Sequence, residues 1–210
     1  MTRQRLVLAS QSPARLATLR SAGVEPEVVV SGVDESVVEA VSPAALAATL
    51  ATMKSRAVHE RLLAGDPDPD RLMVLGCDSV LEIDGGIYGK PHDAATARER
   101  WRLMRGRKGI LHSGHCLSVG PHGREVVRAV DTVVHFADVS DAEIDAYVAT
   151  GEPLAVAGAF TIDGLGGAFV KGVEGDPHNV VGLSLPTLRE MLAEVGVAWT
   201  DLWDPQPGSR

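Results

Sequence analysis

Ser10, Ser12 and Arg15 fall within six residues, between an apolar run and a helical pattern. That arrangement suits an anion. A helix N-terminus leaves backbone N–H groups unpaired and carries partial positive charge, two hydroxyls add donors, and the guanidinium of Arg15 supplies a fork matched to phosphate oxygens. Asp78 directly follows the apolar run from Met73 to Cys77. A carboxylate at the end of a buried strand can hold a divalent cation or take a proton from water. Asp34 and Glu35 follow a second apolar run. With Asp78 they would form an oxygen-rich site for Mg²⁺, which needs few protein carboxylates when water and phosphate complete its shell. Lys54 lies beside the apolar stripe of a helical pattern, where its stem could carry the ammonium into a pocket. Lys90 stands in Gly89-Lys90-Pro91, which is not a Walker phosphate loop: Asp84 occupies the place of the first glycine and Pro91 that of the serine or threonine.

Each of these residues also has an ordinary structural use: a helix cap, a turn aspartate, a surface lysine. His112, His115 and Cys116 are close enough to suggest zinc, but no second half of such a site accompanies them. They read better as alternating across a strand, with Cys116 in the core. Trp199 and Trp203, four residues apart, read as a packing patch rather than a base-stacking platform.

The elements that must position these groups alternate between strand and helix, which points to an α/β fold. Strands are expected over 6–10, 28–33 and 73–83, the last returning through Asp84-Gly85-Gly86 as a hairpin, and over 116–119 and 126–136. Helices are expected from Ser12-Pro13 to about Ala22, from Pro43 to Leu63, and after Asp93 with Ala97, Trp101 and Met104 on one face. Ser140 with Glu143 forms a capping box for a helix ending near Gly151, and a last helix starts near Pro186. The stretch from Gly158 to Gly182 is glycine-rich with short β-runs.

The chain has 210 residues, 45% of them hydrophobic and 23% charged, enough to bury a core. One domain over 1–204 with a flexible tail over 205–210 is expected. A net charge of −8 without a basic run argues against sequence-independent nucleic-acid binding. No apolar stretch approaches the roughly 18 residues of a membrane span. Two cysteines cannot build a disulfide scaffold, so a cytoplasmic location is the natural expectation.

Seven segments, LVLASQSPAR (6–15), VDE (33–35), KSRA (54–57), GCDS (76–79), GKP (89–91), AGAF (157–160) and GDPHNVVGLSLP (175–186), together resemble the Maf family of nucleotide pyrophosphatases. The resemblance implies a mixed, elongated central sheet flanked by helices, with two lobes around a cleft, as in the inosine triphosphatase superfamily. It implies hydrolysis of a nucleoside triphosphate to monophosphate and diphosphate with Mg²⁺ or Mn²⁺, in a homodimer, as removal of unwanted or modified nucleotides. Asp78 matches the family's catalytic base. Glu35 with Asp78 would hold the metal, and Ser10, Arg15, Lys54 and Lys90 match polar cleft residues. The family's association with septum formation makes a nucleotide-binding regulator the alternative.

Members acting on dTTP and UTP carry arginine, threonine and glutamine where this chain has Ala14, Ser79 and Asp163. Val156 and Gly109 also depart from the family's lysine and histidine. Ser79 and Asp163 are expected to touch substrate, the dTTP and UTP specificity is not carried over, and the base preference stays open.

Overall fold

The computed structural model describes residues 4–36, 38 and 40–203; the tail expected over 205–210 lies outside the described residues. A seven-stranded mixed sheet forms the centre. Strand β1 (Arg5–Leu8) runs parallel to β2 (Glu27–Val28) on one side and to β3 (Leu72–Ile83) on the other. Beyond β3 the sheet turns antiparallel: β4 (Gly86–Tyr88) folds back on the end of β3, and β5 (Lys108–Val119), β6 (Arg124–Phe136) and β7 (Val170–Glu174) follow in order. The β3–β4 turn has positive φ at both central residues, Asp84 at 49° and Gly85 at 80°, as a two-residue hairpin requires.

Among the described residues six α-helices flank the sheet: α1 (Pro13–Ser21), α2 (Pro43–Leu63), α3 (Ala94–Met104), α4 (Asp141–Ala149), α5 (Pro177–Val181) and α6 (Leu185–Glu194). Their starts follow the expected caps. Ser12, Ser42, Asp93 and Ser184 each accept a backbone N–H near the helix start, and Ser140 forms the full capping box with Glu143.

Helix α2 lies against one face of β3 and β5. A Cβ at Gly76 would fall on the carbonyl oxygen of Ala51, and one at Gly114 on that of Ala47. Two strand glycines and two helix alanines thus bring the helix backbone close to the sheet. The opposite face carries two apolar cores. Leu6, Leu8, Leu75 and Leu117 pack with Leu188, Met191 and Leu192 of α6 in the first. Leu81, Leu111 and Phe136 pack with Trp101 of α3 and Tyr147 of α4 in the second, where Trp101 meets Phe136, Tyr147 and Phe169 edge-on. Between the two cores runs a polar row of half-buried Ser79 and buried Ser113, Thr132 and Asn179, which divides the molecule into two lobes on one sheet.

Two strands differ from expectation. The apolar run 28–33 pairs in the sheet only at Glu27–Val28; Arg61 of α2 then takes the carbonyls of Val30 and Ser31 at 3.1 and 2.7 Å and leads the chain away over the helix. Strand β5 reaches back to Lys108 rather than starting at Cys116. Its polar and glycine positions, Gly109 to His115, are stabilised by paired strands on both sides, a tertiary effect that residue preference does not reveal.

Candidate active site

Strand β3 pairs with β1 through Leu75 and with β4 from Leu81. Between them, on that side, residues 76–80 have no strand neighbour among the described residues. A cleft of about 570 Å³ opens there. Ser10, Ser12, Arg15, Glu35, Lys54, Asp78, Ser79, Lys90 and Asp163 all line it. Residues from six separate stretches of sequence therefore share one cavity of a size suited to a small molecule.

Lys54 and Asp78, each 8% exposed, form the centre. Lys54 projects from α2 and places Nζ 2.5 Å from Asp78 Oδ1 and 2.8 Å from Glu35 Oε1. One ammonium thus gathers two carboxylates from different segments. Asp34 does not join them: its carboxylate accepts the backbone N–H and hydroxyl of Ser36 at 3.0 and 2.7 Å, closing a local turn.

Arg15 has a different role from the phosphate fork its type suggests. Its Nε donates to the carbonyl of Gly182 at 2.8 Å, Nη1 to the carbonyl of Cys77 at 3.0 Å and to Ser10 Oγ at 3.3 Å, and Nη2 to Ser79 Oγ at 3.0 Å. Four of its five N–H donors hold protein groups, so Arg15 braces the end of β1, the open edge of β3 and the turn after α5. Ser10 Oγ also accepts the Ser12 N–H at 3.1 Å, and Ser12 caps α1. Lys90, by contrast, is exposed and engages no acceptor among the described residues. The loop beneath it is anchored instead: the Gly89 carbonyl accepts the Gly158 N–H at 3.1 Å and a guanidinium N–H of Arg100.

The polar row continues inward from the cleft. Ser79 Oγ and Ser113 Oγ are 2.8 Å apart, and Ser113 donates to the Asn179 carbonyl at 3.2 Å. The Asn179 amide donates to the Val130 carbonyl and Thr132 Oγ1 at 3.0 and 3.1 Å, fixing α5 on the sheet. Buried His115 accepts the Ser184 N–H at 2.9 Å, and burial, seconded by Arg15, lowers it from the usual 6.5 to about 4. It is therefore neutral. Cys77 is no nucleophile, since burial pushes its thiol up to about 11. Sequence reasoning did not single out Asn179 or Arg100, although Asn179 lies inside one of the seven quoted segments. The partners of the Asn179 amide stand 47 and 49 residues away in the chain.

The donor set fits a small hard cation. Two carboxylates converge on one ammonium at the cleft, each through one oxygen, Glu35 Oε1 and Asp78 Oδ1. Among the described residues no group of three or more His, Cys, Asp or Glu side chains gathers for a metal. That pattern suits Mg²⁺ or Mn²⁺ completed by water and phosphate better than an ion held by protein alone.

The sequence profile of a family described as Maf-like protein matches residues 5–195. A Salinispora tropica protein named nucleoside triphosphate pyrophosphatase is 57% identical over 98% of this chain and 92% of its own length. Proteins of the same name from Cutibacterium acnes and Streptomyces coelicolor are 55% and 54% identical over 97% of this chain. They are covered over 97% and 96% of their lengths. Among solved structures, the Ham1 protein of Staphylococcus aureus aligns with a TM-score of 0.41 at 16% identity, over 64% of this chain and 73% of that one.

Proposed function

The chain belongs to the Maf-like protein family, and from that premise we propose that it hydrolyses a nucleoside triphosphate to the monophosphate and diphosphate, as removal of unwanted or modified nucleotides. The observation that carries this reading is the ion pair of Lys54 with Asp78 and Glu35, set in one cleft with the exposed ammonium of Lys90 and the N-terminus of α1.

Asp78 orients a water at the α-phosphorus and takes its proton. The new bond joins the water oxygen to that phosphorus, the bond from the α-phosphorus to the α–β bridging oxygen breaks, and its electron pair leaves on that oxygen with diphosphate. Lys54 fixes the Asp78 carboxylate against α2. Lys90 and the α1 N-terminus offset the charge of the polyphosphate. Asp78 and Glu35 would hold a divalent cation, which supplies Lewis acidity toward the phosphate oxygens. Arg15 and Ser79 hold the open edge of β3 in shape.

The test is a panel of common and modified triphosphates with Mg²⁺ or Mn²⁺, resolving diphosphate from orthophosphate. Diphosphate from any of them, lost in Asp78→Asn, is the expected result. Successive orthophosphates, or full activity in that variant, would overturn the reading.

A further inference from the structure

We propose that Arg100 is a positioning residue for the polyphosphate: from α3 it fixes the loop that carries Lys90 and so aims that ammonium into the cleft. The inference rests on the reading of the cleft as a nucleoside triphosphate site.

The arginines of α3 and its C-terminal end divide by what they hold. Arg98 pairs with Asp145 of α4 at 2.6 Å, and Arg102 and Arg105 pair with Asp141 at 3.7 and 2.6 Å. Arg100 differs from all three. It has no carboxylate partner among the described residues, its buried Nε has no acceptor, and burial pulls it below the ordinary arginine value. A half-buried guanidinium without a counter-ion costs stability rather than adding to it. What Arg100 holds instead is the loop after β4. An Nη1 N–H donates to the Gly89 carbonyl, and the guanidinium carbon lies 5.2 Å from the centre of the Tyr88 ring.

That loop is pinned on both sides of Lys90. Before it, the Gly89 carbonyl accepts the Gly158 N–H as well as that of Arg100. After it, Pro91 is buried and its ring fixes φ. His92 then donates its N–H to the Leu154 carbonyl at 3.2 Å, with a φ of 64° that a histidine adopts only where its surroundings hold it. The Lys90 side chain between them is exposed and lines the cleft. A held backbone beneath an exposed ammonium presents charge to a ligand at little ordering cost.

Arg100 does not line the cleft, so it acts through Lys90 and not on the substrate. Without its guanidinium the Gly89 carbonyl keeps the Gly158 bond alone. Lys90 then samples a wider range, and that freedom must be given up when a polyphosphate binds.

Calorimetry with inorganic tripolyphosphate and Mg²⁺ tests this apart from turnover and from any choice of base. Arg100→Met is expected to weaken binding by up to the roughly tenfold loss expected of Lys90→Gln, the scale of one charge-assisted hydrogen bond. In the Lys90→Gln background the same substitution should cost less than about twofold, because two residues acting through one contact are not additive. Arg100→Lys, which keeps a donor and a charge, should recover part of the loss. In steady state Arg100→Met should raise KM for the nucleotide and leave kcat within about twofold. Unchanged binding in Arg100→Met, an equal loss in both backgrounds, or no binding of tripolyphosphate by wild type would overturn the proposal. Coupled losses of binding without diphosphate release from any nucleotide would retain Arg100 as the positioner of Lys90 and reject the hydrolase. Diphosphate release by wild type, with Arg100→Met unaltered in KM and in binding, would do the reverse.

Discussion

Lys54 Nζ lies 2.5 Å from Asp78 Oδ1, joining the middle of α2 to the open edge of β3 through a nearly buried ion pair. Lys54→Met would leave two carboxylates facing each other without their shared cation. Turnover should fall by about 100-fold or more, since a misplaced reacting group has that order of effect. The melting temperature should also drop, because breaking one side of a buried pair leaves an uncompensated charge. Diphosphate-release kinetics and thermal melts check both, and unchanged turnover would remove Lys54 from the site.

Lys90 holds no partner among the described residues, so its loss should act on substrate rather than on the fold. Lys90→Gln is expected to raise KM by about tenfold, the scale of one charge-assisted hydrogen bond to phosphate, with a melting temperature like wild type. A variant with wild-type KM and kcat would exclude Lys90 from phosphate binding.

Gly114 lies under the carbonyl of Ala47. Gly114→Ala must push α2 outward, and that helix carries Lys54. The expected cost is about 1–3 kcal/mol of stability, as for overpacked interiors, and the remaining folded protein should turn over more slowly. Urea unfolding and activity at saturating substrate separate the two effects. Wild-type values for both would show that the helix has room to spare.

His115 sets a pH dependence of stability. Burial lowers it to about 4 in the folded protein, against about 6.5 when unfolded. Below the unfolded value the unfolded chain binds the proton and the folded one does not, so stability falls as pH drops from 6.5 toward 4. The full loss from this group is about 3 kcal/mol. His115→Gln should flatten that part of the curve, measured by denaturant unfolding at several pH values.

Two of the cleft residues were legible in sequence from local signals: Asp78 follows the apolar run Met73 to Cys77, although it stands inside β3 rather than at its end, and Ser12 caps α1. The role of Arg15 was not legible. Its acceptors lie on the turn after α5 and on β3, 167 and 62 residues away, and the same residue type binds phosphate elsewhere. The early part of β5 was hidden for a related reason. Gly114 is there to admit α2, while Ser113 and His115 serve α5 and the cap of α6, so local preference reads as a loop. The run after Val28 misled in the other direction: it is apolar enough for a strand, but Arg61 takes its carbonyls.

The two cores are also optically distinct. Trp101 is wholly buried in the second core, whereas Trp199 packs on the first and Trp203 is half exposed beside Gly23. These are all three tryptophans of the chain. The indole of Trp101 also carries the Ala159 carbonyl in the segment that leads to Asp163. A Trp101-dependent emission change would therefore report movement of the cleft wall, while the remaining emission reports the other half, giving the protein an intrinsic fluorescent probe for each lobe.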